Sequence, residues 1–180
     1  MPAADELTLF SYTVLGLVGS EGAGPHDLLR MARQGRVYDW AGESQYYVEP
    51  KRLAKLGYLE ARKVPGRTRE RTVYTLTDQG RDALTAWGET PAHFSPLKHE
   101  PLIRMLVADL VGEAATARSI GALRGDIADL LERLDTAEAA AASLPHREKY
   151  LLLAHGLVRR LLALHLEWVD EVEQALDAER

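Results

Sequence analysis

Apolar positions follow two regimes along the 180-residue chain. Up to about residue 90 they form short clusters divided by turn residues. Beyond about residue 100 they recur at three- and four-residue steps over whole helices. From Glu6 to Gly19 the chain is dense in Leu7, Leu9, Phe10, Tyr12, Val14, Leu15, Leu17 and Val18, which predicts a largely buried helix stopped at Gly19. Pro25 stands at the first position of a second helix carrying Leu28, Leu29 and Met31 to about Arg33. A connector with Gly35, Tyr38 and Trp40 precedes a third helix, from about Ser44 to Leu56, which Gly57 closes. The period-two runs Tyr58–Val64 and Arg71–Leu76 flank Pro65-Gly66-Arg67-Thr68-Arg69, the pattern of a hairpin. Thr77 or Asp78 can cap a fourth helix through Leu84 and Trp87. Three short helices, a hairpin and a further helix give the order of a winged helix-turn-helix.

Pro50 interrupts the third helix in prospect, because it has no N–H to donate and its ring crowds the carbonyl of Tyr46. The expectation is a late helix start near Glu49, with non-helical angles around Val48–Glu49 and Tyr47 just ahead of the helix. Gly88–Pro101 reads as a linker. Leu102, Ile103, Met105, Leu106 and Leu110 then form one apolar face ending near Gly112. Ile120, Leu123, Ile127, Leu130, Leu134, Ala137 and Ala141 repeat at coiled-coil spacing until Pro145. A last helix from about His146 to Ala178 carries a stripe from Tyr150 through Leu153, Leu157, Leu161, Leu164 and Trp168 to Val172 and Leu176. Seams of that length ask for a partner chain.

The net charge of −5 conceals an asymmetry. Residues 1–90 are neutral, whereas residues 91–180 carry the whole −5. Within the neutral half, residues 51–71 hold eight basic groups against Glu60 and Glu70, a local field of +6 suited to a polyanion. The absence of cysteine excludes disulfides, thiolate nucleophiles and Cys-held zinc or iron–sulfur sites. No apolar run reaches the ~20 residues of a membrane span, and the acidic start lacks the basic region of a signal peptide. A cytoplasmic protein away from membranes is the expectation.

DNA recognition needs side chains that reach base edges from a helix and cations for the backbone. The third helix offers Ser44, Gln45, Tyr47, Lys51, Arg52 and Lys55, and the hairpin offers Arg67, Arg69 and Arg71. A solvated basic helix face explains the first group equally well by itself. The basic hairpin immediately after it shifts the balance towards DNA. Catalysis finds no support: the chain has no nucleophile elbow, P-loop, dinucleotide fingerprint or zincin motif, and no cofactor or metal is expected. His155 and His165 fall ~15 Å apart along one helix, too far to share an ion. Tyr150, His155 and Trp168 form a candidate effector pocket among leucines. Packing roles for Trp168 and His155 are the simpler reading of the same residues. A helical protein-interaction module whose winged helix serves a protein partner is the alternative function.

Ser44-Gln45-Tyr46-Tyr47-Val48-Glu49-Pro50-Lys51-Arg52-Leu53-Ala54-Lys55-Leu56-Gly57 resembles the recognition helix of the PadR family, with Tyr47, Leu53 and Gly57 in register. Val48 stands where that pattern has proline, and Pro50 where it has leucine. Tyr74-Thr75-Leu76-Thr77-Asp78-Gln79-Gly80 is similar to the family's exit from the wing into the fourth helix, and Leu15-Gly16-Leu17 to its opening helix. Tyr150–Trp168 resembles the last helix of the subgroup with a large, Vir-type C-terminal domain. The resemblance implies a mainly α chain with a small β-hairpin: a winged helix-turn-helix DNA-binding domain at 1–90, then an all-α dimerisation domain at 95–180. It further implies a homodimeric transcriptional repressor that binds double-stranded DNA at a pseudo-palindromic operator and is relieved by a small-molecule effector.

Overall fold

The computed structural model describes residues 7–34, 41–66, 70–94 and 98–177. The chain divides into two compact units, Met1–His93 and Phe94–Arg180. The connector with Gly35, Tyr38 and Trp40, and Arg67 and Arg69 of the hairpin tip, lie outside the described residues.

In the first unit the helices are α1 (Leu9–Val18), α2 (Pro25–Gln34), α3 (Gln45–Lys55) and α4 (Asp78–Gly88), with strands β1 (Leu59–Val64) and β2 (Arg71–Leu76) between α3 and α4. A reciprocal cap starts α1: the Ser11 N–H donates to the Thr8 hydroxyl oxygen while the Thr8 N–H donates to Ser11 Oγ. The strands pair antiparallel from Leu59 opposite Leu76 to Val64 opposite Arg71. An isolated bridge from Ala23 to Tyr74 ties the segment before α2 to the hairpin. Val14, Leu15 and Val18 from α1, Leu28 from α2, Tyr46 and Leu53 from α3, and Tyr58, Leu59 and Tyr74 from the hairpin meet in one core. The predicted element order is what forms.

The late start of α3 is not. The helix begins at Gln45, and Val48 and Glu49 are helical, with the Val48 N–H donating to the Ser44 carbonyl at 3.2 Å. Pro50 therefore sits inside the helix, where it costs about 3 kcal/mol. Tyr46, Pro50 and Leu53 are all buried on the inner side of α3. At roughly 1.5–3 kcal/mol for each large apolar side chain removed from water, their packing outweighs the proline penalty.

The second unit contains α5 (Glu100–Leu106), α6 (Ala108–Val111), α7 (Glu113–Gly121), α8 (Leu123–Ala141) and α9 (Glu148–Asp177). Both α7 and α8 pack along α9. Ile120, Val169 and Val172 form a buried cluster backed by Met105, Leu123, Trp168 and Leu176. Arg124 pairs with Asp170 at 2.5 Å and Glu173 at 2.7 Å, and Arg159 with Asp135 at 2.7 Å and Glu138 at 2.8 Å, so two forks fasten α8 to α9. The expected single apolar helix before Gly112 is broken at Val107, and Leu102, Ile103, Leu106 and Leu110 are exposed. Tyr150, Leu153, Leu157 and Leu164 of the α9 stripe are exposed as well. Among the described residues no helix is long and apolar enough to cross a membrane.

Candidate nucleic-acid interface

At 3.6 residues per turn, α3 divides cleanly. Tyr46, Glu49, Pro50 and Leu53 are buried on one side, and Ser44, Gln45, Tyr47, Val48, Lys51 and Lys55 are exposed on the opposite side. The centre of the exposed face runs through Ser44, Val48, Lys51 and Lys55, with Tyr47 on one flank and Gln45 and Arg52 on the other. Five of the six sequence candidates on this helix thus share an open face. Arg52 differs: its Nε and Nη2 donate to the two carboxylate oxygens of Glu49 at 2.8 and 2.7 Å.

The end of α3 and the start of α4 are built on each other. Gly57 has φ +85°, and the Tyr58 and Gly57 N–H groups donate back to the Leu53 and Ala54 carbonyls, closing α3 with a left-handed turn. The Thr77 hydroxyl donates to the Gly57 carbonyl at 2.6 Å and accepts from the Gly80 N–H at 3.1 Å. One side chain therefore caps α4 and anchors the turn that leads from α3 into the wing. The wing strand is anchored at its far end too. Asp27 of α2 accepts from Arg71 at 3.3 Å and from Arg30 at 3.2 Å, holding the first residue of β2 against the second helix. Of the hairpin candidates, Arg71 is thus exposed but tethered, and Arg67 and Arg69 lie outside the described residues.

Glu49 is a functional candidate that the sequence reading missed. It is 7% exposed, and its carboxylate also accepts from the buried Ser11 hydroxyl of α1 at 2.7 Å. Hydrogen bonding from Arg52 holds its carboxyl below the usual carboxylate value against the opposing effect of burial, with the Ser11 hydroxyl assisting. The three-residue spacing of Glu49 and Arg52 was a visible signal. Ser11, 38 residues away, gave none.

The effector candidates occupy different heights of α9. Tyr150 is exposed at its beginning, His155 is partly buried with no hydrogen-bond partner for its buried Nδ1, and Trp168 packs beside the Ile120 cluster. Eighteen residues at 1.5 Å each put Tyr150 and Trp168 about 27 Å apart, so the three do not line one cavity within this chain. A pair that spacing could not reveal lies at the other end: His99, ahead of α5, and His165 of α9, with Nε2 atoms 2.7 Å apart. Trp168 stands edge-on to His99, ring centres 6.1 Å apart. The Leu161 carbonyl 2.6 Å from His165 Nδ1 can only accept, so that nitrogen carries the proton. His99 Nε2 then donates to His165 Nε2. Among the described residues no three metal-ligating side chains gather.

No family model matches the chain. Over 95% of its length and 99% of the relative's, it is 24% identical to the negative transcriptional regulator PadR of Bacillus subtilis. The structure of Bacillus subtilis PadR in complex with operator DNA has a TM-score of 0.74 to it at 22% identity, covering 96% of this chain and 98% of that one. The PadR-like regulator BC1756 of Bacillus cereus gives 0.73 at 18% identity, covering 99% of each chain. Bacillus subtilis PadR in complex with p-coumaric acid gives 0.66 at 20% identity over 93% and 95%. These structures share the fold, and the sequence match runs the length of both proteins. The chain is thus similar from end to end to a PadR regulator and has the fold of PadR and PadR-like transcriptional regulators.

Proposed function

We propose that this chain is a cytoplasmic, homodimeric repressor that binds a pseudo-palindromic operator and leaves it when a small-molecule effector binds. In this reading residues 1–90 bind DNA and residues 95–180 dimerise. Ser44, Gln45, Tyr47, Lys51 and Lys55 enter the major groove, and Arg67, Arg69 and Arg71 track the backbone beside it. The observation that carries the proposal is the division of α3, which turns its hydroxyl, amide and basic side chains outward together, directly before a basic hairpin. The operator complex solved for the Bacillus subtilis relative supports DNA as the ligand, and its p-coumaric acid complex supports an effector, for which Tyr150, His155 and Trp168 are separate candidate contacts at different heights of α9. The exposed apolar stripe of α9 and the bare faces of α5 and α6 support a second copy as the partner.

Mobility shift with the chain's own promoter region, in excess nonspecific competitor and at two salt concentrations, tests the DNA reading. A discrete complex that weakens with salt is expected, and Lys51→Ala with Lys55→Ala reduces the slope of log K against log salt by about 0.9 per lost phosphate contact. Absence of a competitor-resistant complex contradicts the reading and favours a protein partner for the winged helix.

A further inference from the structure

Arg52 was expected in the groove, yet its surroundings tie it inward. We propose that Glu49 withholds Arg52 from DNA, so that the arginine braces α3 against α1 and Glu49 acts as a positioning residue for the recognition helix. The inference rests on the DNA-binding reading above.

The guanidinium makes a two-point fork on the Glu49 carboxylate, and its Nη2 reaches on to Ser11 Oγ at 3.0 Å. Ser11 is fully buried at the start of α1, and its Oγ also accepts the Thr8 N–H at 2.9 Å. The ring Ser11–Glu49–Arg52, with Thr8 attached through Ser11, therefore joins the first turn of α1 to the middle of α3. Planar bidentate pairing suits the arginine fork better than any single-point contact. Swinging Arg52 out to a phosphate would leave Glu49 with Ser11 as its one remaining partner in this ring. A carboxylate so deeply buried and stripped of its cation is strongly unfavourable, and a phosphate gained at the half-exposed rim does not repay it. That the Glu49 carboxyl is held below the usual range agrees with a pair closed in the resting protein. The arrangement also sharpens the exposed face: with Arg52 folded back, its cations are Lys51 and Lys55.

Salt dependence of operator binding distinguishes a brace from a contact, because each phosphate contact adds about 0.9 to the slope of log K against log salt. The paired variant Glu49→Gln with Arg52→Met removes the fork without stranding a charge or changing net charge. It should fold, as checked by thermal melting, and retain the parent slope. A slope reduced by about 0.9 would overturn the proposal by placing Arg52 on a phosphate. Glu49→Gln alone releases the cation beside the duplex, so a slope steeper by up to about 0.9 and poorer discrimination against competitor DNA are expected. A single variant with an unchanged slope also overturns it, since a merely structural glutamate would alter stability and not the slope. Lys51→Ala, in the same assay, reports on the DNA reading itself: a parent chain that binds operator with no response to Lys51→Ala places the face elsewhere, and a chain that forms no complex at all removes both readings.

Discussion

Gly80 shows how closely the wing and α4 are fitted. A Cβ built there would lie 2.2 Å from the Tyr58 carbonyl oxygen and 3.2 Å from Leu76. The carbonyl is fixed, because it accepts the Thr77 N–H at 3.2 Å. Ordinarily a helical glycine changed to alanine gains about 1 kcal/mol from propensity. Here the overlap with backbone outweighs that gain, and Gly80→Ala is expected to destabilise the first unit by about 1–3 kcal/mol. Gly125 of α8 has open space around its Cβ position, so Gly125→Ala should instead stabilise by about 0.5–1 kcal/mol. Denaturant melts of the two variants check both signs; equal effects would contradict the close fit at Gly80. The Tyr74-x-Leu76-Thr77-x-x-Gly80 pattern thus has a physical content: an inward tyrosine, a cap, and a residue that must lack a side chain.

At the scale of elements, the start of α5 is fastened to α9 by a hydrogen bond between the His99 and His165 rings, their Nε2 atoms 2.7 Å apart. Burial, with the neighbouring His165 charge adding to it, lowers the pKa of His99 from its usual 6.5. Below about pH 6.5 the unfolded chain therefore takes up a proton that the folded chain resists, and stability falls with falling pH. His99→Gln should flatten that acid limb. Trp168, edge-on to His99, provides the fluorescence signal for the titration. An acid limb unchanged by His99→Gln would show that the pair carries no linkage. Such long-range pairs are where the sequence fell silent, since His99 and His165 are 66 residues apart in the chain. The hairpin and the helix order were legible because period-two runs, Gly57 and the Thr77 cap act locally. Pro50 misled for the opposite reason: a local penalty was overridden by burial of Tyr46, Pro50 and Leu53, which only the assembled core supplies. The break at Val107 falls in Met105-Leu106-Val107-Ala108, which contains neither glycine nor proline to announce it. On α3 the candidates were legible as residue types, but their common open face emerged only because the helix runs through Pro50, and the fate of Arg52 depended on Ser11 in another helix.

For the whole molecule, charge and exposed apolar surface point in complementary directions. The basic run 51–71 lies in the first half of a chain whose second half holds the entire net charge of −5. In the proposed reading, polyanion binding is confined to the first unit, and the second buries its apolar stripes against a copy of itself. Two identical winged helices related by a two-fold axis require two half-sites, and recognition helices in successive major grooves lie about 34–36 Å apart. The central claim, a dimer reading two half-sites, is tested most directly by nuclease footprinting of the purified protein on its own promoter region. Two protected segments related by symmetry, with centres about 10 base pairs or a multiple of that apart, are the expected result. Protection of a single unpaired segment, or none in the presence of competitor DNA, would contradict it.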